Sequence, residues 1–283
     1  MGMSINTNAG AETAAVAAQR AAAMMDEAML RLSTGKRINS AKDDAAGLAV
    51  ATRMEKEIAG LGQALRNAND AQGLIDTGEA ALKEVHTLLL RMREISVSAA
   101  SDTNTDADRA ALDTEVTALE TEISRIGDQT SWGGINIFTG TYDKASPIRF
   151  HLGPTSTNFI DVTLGVVSIA ARGSDLQGSL SLTGSVTSRS NATSYLAGID
   201  AAISIISARR GNFGAVSNRL TSAIANLENM KSSMVAAKGQ VVDANYAEET
   251  AKLARAQILM QAATAMLAQA NASKNATLKL VTG

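Results

Sequence analysis

Residues 5–32 read INTNAGAETAAVAAQRAAAMMDEAMLRL, and near the other end residues 252–271 read KLARAQILMQAATAMLAQAN. In the first, Ala11, Ala14, Ala18, Ala21, Met25, Ala28 and Leu32 follow at alternating steps of three and four. In the second, Leu253, Ala256, Met260, Ala263, Leu267 and Ala270 do the same. This spacing puts each set on one helical stripe with a seven-residue repeat, the pattern of a seam that meets another helix. An alanine seam buries little area per residue, at about 25 cal/mol per Å² removed from water, so length of contact must replace bulk. Such helices are marginal alone in water. The two stripes are therefore expected to pair with each other and to leave apolar positions facing outward, toward further copies of the chain.

Working inward, the first helix should stop at Ser33-Thr34-Gly35, where glycine is a natural terminator, and Asp43 and Asp44 should cap the next. A helical pattern runs from about Ala45 to Ala100, clearest at Leu82, Val85, Leu89 and Met92 with Leu88 and Ile95 on the adjoining stripe. Gly47, Gly60, Gly62, Gly73 and Gly78 interrupt it, each costing up to about 1 kcal/mol relative to alanine, so this helix should lean on neighbours. Asp106 is expected to cap a third helix with Leu112, Val116, Leu119, Ile123 and Ile126 inward, ending near Gly127.

Between about Trp132 and Ser190, Gly, Ser and Thr increase, and Ile148, Phe150 and Leu152 alternate with Arg149 and His151. Period two predicts a strand, with a second at Ile160, Val162 and Leu164 and a further candidate at Leu180 and Leu182. Helix resumes near Tyr195. Its seam reads Leu196, Ile199, Ile203, Ile206, Phe213, Leu220, Ile224, Leu227, Met234 and Val241, with Arg210, Ser217, Lys231 and Lys238 as polar interruptions.

The fold class expected is mainly α: a long antiparallel helical bundle or coiled coil built from both termini, with a small β-rich outer insert. The domains expected are 1–44 with 239–283 as terminal helices, 45–131 with 194–238 as a helical bundle, and 132–193 as a hairpin-rich outer region.

Composition narrows the function. Hydrophobic residues make up 45% of the chain but aromatics only 3%, and proline occurs twice, so the apolar content is helix-forming. With 26 basic and 28 acidic residues the net charge is −2, which offers no attraction to nucleic acid or anionic lipid. No stretch is apolar enough for membrane insertion, and Met1 to Asn6 lacks the basic and apolar regions of a signal peptide. There is no cysteine, so disulfides and thiolate chemistry are excluded.

Two long blocks then carry a family resemblance. The first is Ser4-Ile5-Asn6-Thr7-Asn8 with Arg31-Leu32-Ser33-Thr34-Gly35-Lys36-Arg37-Ile38-Asn39-Ser40-Ala41-Lys42-Asp43-Asp44-Ala45-Ala46-Gly47 and Arg66-Asn67-Ala68-Asn69-Asp70. The second is Asp243, Tyr246-Ala247, Arg255-Ala256-Gln257-Ile258-Leu259, Gln261-Ala262 and Leu267-Ala268-Gln269-Ala270-Asn271. Both resemble the terminal signatures of bacterial flagellins. The resemblance implies a non-enzymatic structural subunit that self-assembles into the extracellular filament for swimming motility, with the terminal seams as its assembly element.

It also implies secretion in unfolded form by type III export, and as partners the export apparatus, a chaperone, the filament cap and copies of itself. The related hook-filament junction proteins are the alternative, although the dense match from Arg255 to Asn271 favours the filament subunit. The ending from Lys274 to Gly283 departs from the usual proline-containing stretch and leucine pair. Arg91, Arg93 and Glu94 with Ile95, and Glu115 beyond, resemble the motif by which an animal Toll-like receptor detects many flagellins, with Ile95 in place of the more usual leucine. Against this stands the plainer reading of a charged face packed between subunits.

Other candidate sites are weaker. His86 and His151 have no partner motif, and no His-Glu-x-x-His zinc spacing exists, so no catalytic group, metal or cofactor is expected. Asp102, Asn104, Asp106, Asp108 and Asp113 have the acidic spacing of a calcium loop, but Ala107 stands where the glycine belongs and Asp113 where the glutamate belongs. Gly60 and Gly62 sit inside a helical pattern rather than after a strand, which disfavours nucleotide binding. Sequons occur at Asn191, Asn271 and Asn275, the last two in or just after the terminal helix. Ser179, Ser181, Thr183, Ser185, Thr187 and Ser188 form a region suited to surface O-glycans or to a plain polar surface.

Overall fold

The computed structural model describes residues 7–138, 148–153, 158–162, 182 and 184–282. In chain order the elements are α1 (Ala9–Thr34), α2 (Ala45–Ala99), α3 (Asp106–Gln129), β1 (Ser131–Trp132), β2 (Ile135–Asn136), β3 (Ile148–His151), β4 (Phe159–Val162), α4 (Arg189–Val242) and α5 (Tyr246–Thr282). Long helices with small antiparallel strands agree with the fold class read from the sequence. The chain forms two compact units, one of Met1–Ile58 with Ser233–Gly283 and one of Ala59–Ser232. Among the described residues, no helix is long and apolar enough to cross a membrane.

In the unit of Ala59–Ser232, α2 contributes Leu61, Ala64, Ala68, Ala71, Ile75, Leu82, Val85, Leu89, Met92 and Ala99 to the core, a heptad stripe. From α3 come Val116 and Ile123, and from α4 come Tyr195, Ile199, Ile206, Phe213 and Leu220. Gly78 falls in the α2 stripe because a Cβ there would lie 2.8 Å from the Phe213 ring. Its helix-weakening cost is offset by the close approach of that ring. Likewise a Cβ on Gly73 would meet the Trp132 ring at 2.6 Å.

The α4 stripe corrects the sequence reading. Ile199, Ile206, Phe213, Leu220 and Leu227 are core as expected, but the flanking positions that are fully buried are Ala192, Tyr195 and Ala202, while Leu196 and Ile203 are half-buried. Arg210 and Ser217 do not interrupt the core. They stand on its flank, where Arg210 Nε donates to Glu79 (2.8 Å) and Ser217 Oγ accepts from Gln72 (2.8 Å). Each pair is seven residues from the next on both helices, so the contacts fix an antiparallel register. Arg93 Nε donates to Asp200 (2.7 Å) farther along the same interface.

Caps also differ from expectation. Asp44 caps α2 through the Gly47 amide (2.8 Å), but Asp43 does not. Its carboxylate accepts from the Ser40 (2.8 Å) and Asn39 (3.0 Å) amides, which hold it below the usual carboxylate range. Thr105, not Asp106, caps α3 in a reciprocal box with Asp108, because its hydroxyl accepts from the third helical amide. α3 runs past Gly127 to Gln129.

The hairpin at 131–136 is an addition to the sequence reading. Ser131 pairs with Asn136 and Trp132 with Ile135, and Gly133 and Gly134 take φ of +59° and +82° between them, as a tight two-residue turn requires. The expected pair of strands is β3 with β4, Phe150 opposite Ile160 and Ile148 opposite Val162. Leu182 is buried without belonging to a strand, while Leu164 and Leu180 lie outside the described residues.

Gly78→Ala should lower the stability of the full chain by about 1–3 kcal/mol through crowding against Phe213, reversing the usual gain of alanine over glycine in a helix. Gly214→Ala, where an added methyl group meets nothing within 4 Å, should instead raise it by up to about 1 kcal/mol. Urea unfolding followed by circular dichroism measures both, and equal signs for the two variants would contradict the packing account.

Candidate functional site: the paired terminal helices

α1 packs against α5. The pairing is antiparallel, since Asn8 at the start of α1 donates to the Ala270 carbonyl (3.3 Å) while the Tyr246 hydroxyl at the start of α5 donates to the Leu32 carbonyl (3.2 Å). Asn8 also caps α1, accepting from the Ala11 amide (3.1 Å), and Gly35 ends the helix in the left-handed conformation with φ of +68°. Ala14, Ala21 and Ala28 of α1 and Ala256 and Ala263 of α5 are buried. Between them Ala11, Ala18, Met25, Leu32, Leu253, Met260, Leu267 and Ala270 are half-buried.

A charged cluster closes one end of the seam. Glu249 is only 4% exposed, and its Oε1 accepts from Lys252 Nζ (2.9 Å) and Arg31 (3.2 Å). Arg31 also meets Glu27, and Lys252 meets Glu248. Burial works to raise the Glu249 carboxyl, but the hydrogen bonds from Lys252 and Arg31 outweigh it and hold the group below its ordinary value. The same bonds raise the Lys252 ammonium above its ordinary value. Nothing in the spacing of residues 246–252 separates Glu249 from solvated neighbours, so this buried ion pair is missing from the sequence reading.

Beyond the cluster, the two turns are tied together. Arg37 donates its amide to the Val242 carbonyl (2.7 Å) and its guanidinium to the Val241 carbonyl (2.8 Å), and the Ala244 amide returns a bond to the Gly35 carbonyl (2.9 Å). Ile38 is buried behind them.

The flanks of the α1–α5 seam are unequal. On one, Gly10, Val16, Ala17 and Met24 of α1 and Leu259 and Met266 of α5 line an open apolar groove. On the other, α5 presents Thr250, Gln257, Thr264 and Asn271, all exposed. Val16, Met24, Leu259 and Met266 are all exposed large hydrophobics. Contiguous apolar surface of this kind marks an association face.

The remaining predicted positions are dispersed. Arg91 donates to Glu115 (3.0 and 2.8 Å) and Glu94 (3.2 Å) on an exposed surface, bonds that raise the guanidinium above its ordinary value. Ile95 is buried in the core behind them. Of the calcium-like run, Asp102 pairs with Arg189, Asn104 donates to the Ser98 carbonyl, Asp108 serves the α3 cap and Asp113 accepts the Val186 amide. Asp106 binds Arg109, a buried arginine that also donates to the Ala99 (3.0 Å) and Ser101 (3.0 Å) carbonyls and so satisfies the end of α2. No metal-type cluster occurs among the described residues. His151 lies edge-on to Phe159, and Ser188 accepts the Asn191 amide at the start of α4. Ser179, Ser181 and Thr183 lie outside the described residues.

Two terminal helices that pair along an alanine seam and leave an apolar flank exposed have the build of a structural, self-associating subunit. Comparison with known proteins places it more closely. Residues 5–143 match the bacterial flagellin N-terminal helical region and residues 196–281 the bacterial flagellin C-terminal helical region. A flagellin of Halalkalibacterium halodurans is 39% identical over 255 residues, covering 90% of this chain and 91% of that protein. Polar flagellin F of Vibrio parahaemolyticus is 28% identical over 379 aligned positions, 99% of this chain and 100% of that protein. Among solved structures, the crystal structure of Bacillus cereus flagellin is similar at 29% identity with a TM-score of 0.49, covering 57% of this chain and 88% of that one. The chain belongs to the bacterial flagellin family. It is a structural subunit of the extracellular flagellar filament, self-associating and not an enzyme.

Because its folded carboxyl lies below its ordinary value, Glu249 contributes stability above that ordinary value and loses it as pH falls through the lower folded value. Glu249→Gln should therefore be less stable than the parent at neutral pH and the difference should shrink on acidification. Urea midpoints across that range measure it, and a constant difference at every pH would show that the ion pair does not act this way.

Proposed function

We propose that the apolar flank of the α1–α5 pair is the polymerisation surface, with a second copy of this chain as its occupant. The observation that carries this is the exposure of Val16, Met24, Leu259 and Met266 along one groove in a family whose members build filaments. In this reading residues 1–44 with 239–283 form the inner assembly layer through the seam from Ala11 to Leu32 and from Leu253 to Ala270. Residues 45–131 with 194–238 form a helical bundle domain, and 132–193 form the outer region, where Ser185, Thr187 and Ser188 with their neighbours are available for glycans. Secretion proceeds through the type III export apparatus, with a chaperone before and the filament cap after. A hook-filament junction role would use the same terminal pair, and the match through Arg255–Asn271 favours the filament.

Deleting residues 1–32 or 247–283 should leave a soluble chain that forms no filaments, and Met266→Glu should raise the concentration needed for polymerisation by about tenfold, since a buried unpaired charge is costly. Electron microscopy and sedimentation are the measurements. Ordinary filaments from either deletion, or ordinary assembly by Met266→Glu, would defeat the proposal.

A receptor-ligand role for the free subunit rests on the exposed Arg91–Glu115 pair. Arg91 and Glu115 supply the contact surface, and Ile95 holds α2 behind them. A Toll-like receptor reporter assay should respond to the purified monomer and lose most of its signal with Arg91→Ala. Equal responses from both proteins, or from neither, would remove the reading.

A further inference from the structure

Sulfur in this chain is carried by 11 methionines and no cysteine. They differ sharply in access. Met92 is fully buried, and Met25 and Met260 are half-buried in the α1–α5 seam. Met24 is 50% exposed and Met266 63% exposed, one from each helix, and both line the apolar groove. Met29 and Met230 are also exposed but lie outside it.

We propose that Met24 and Met266 form an oxidation site through which peroxide controls the self-association of the free subunit. The proposal rests on the groove being the polymerisation surface. The chemistry needs only a hydroperoxide and an accessible thioether. A sulfur lone pair attacks one oxygen of hydrogen peroxide, an S–O bond forms as the O–O bond breaks, and the hydroxide released takes the proton of the new S–OH group, leaving as water and giving the sulfoxide. Sulfur is oxidised by two electrons and the peroxide reduced by two. The product is a polar, chiral sulfoxide where an apolar, flexible side chain stood. Burial of that sulfoxide against an apolar partner leaves its oxygen without a hydrogen bond, which weakens association. Once a neighbouring copy covers the groove, the same two sulfurs are shielded, so the site is open in the monomer and closed in the polymer.

The test treats full-length monomer and preformed polymer with hydrogen peroxide and maps sulfoxide by peptide mass spectrometry. Met24 and Met266 should oxidise in the monomer well before Met92, and should be protected in the polymer at least severalfold. The oxidised monomer should need about tenfold more protein to polymerise, given the cost of burying an unpaired polar group. The double variant Met24→Leu/Met266→Leu, which keeps Met29 and Met230, should need the same protein concentration to polymerise with and without peroxide treatment, each protein being compared with its own untreated sample. Peroxide sensitivity of assembly equal in parent and double variant, or assembly of the parent unaffected by oxidation at both sites, would overturn the proposal. Normal polymerisation by Met266→Glu would instead strike at the surface itself, so the two failures are distinguishable.

Discussion

The alanine-to-alanine approach of α1 and α5 is the constraint on which the terminal unit depends. Ala14, Ala21 and Ala28 meet a stripe containing Ala256 and Ala263, and side chains this small permit close backbone approach but hide little surface. Larger residues at those positions would bury more within one chain and would push the helices apart. The outcome of small residues is a pair that holds together over many turns while leaving Val16, Met24, Leu259 and Met266 in water. In the proposed assembly, apolar area withheld from folding is area available for association.

The bundle of Ala59–Ser232 follows a different economy. Its core contains Phe138, Phe213, Tyr195 and a run of Leu, Ile and Met, and glycine is admitted where a ring must pass, as at Gly78 beneath Phe213. Polar residues stay at the border and carry register. The Gln72–Ser217 and Glu79–Arg210 contacts are spaced by seven residues on each helix, so a slip of one heptad would set Glu79 opposite Ser217 and leave Arg210 without its carboxylate. Hydrophobic stripes alone are nearly indifferent to such a slip, whereas these pairs are not.

Much of the fold was legible from periodicity. The stripes from Ala11 to Leu32 and from Leu253 to Ala270 need only the step of three and four, and Gly35 marks the stop of α1 with its positive φ. Periodicity failed where size misled it. In α4 the eye follows Leu196 and Ile203, yet Ala192, Tyr195 and Ala202 are the deeper positions, so the buried stripe is turned to one side of the large aliphatic residues. Adjacent cap candidates are a second weakness, since Thr105 and Asp106 both offer an oxygen and only the backbone geometry chooses the hydroxyl. The hairpin at 131–136 has two residues per strand, too few for any period, and only Gly133-Gly134 hinted at it. Glu249 was invisible for another reason: its burial depends on Arg31, 218 residues away.

That distance has its own consequence. Asn8 bonds to Ala270 across 262 residues, so the terminal contacts close a ring that spans nearly the whole polypeptide. The entropy of closing a flexible ring grows only as the logarithm of its length, roughly 0.6 kcal/mol for each doubling. Distance along the chain therefore delays the meeting of the ends far more than it weakens it. A middle segment can grow or shrink between them over evolutionary time at small thermodynamic penalty, which lets relatives of greater length retain the same two extremities.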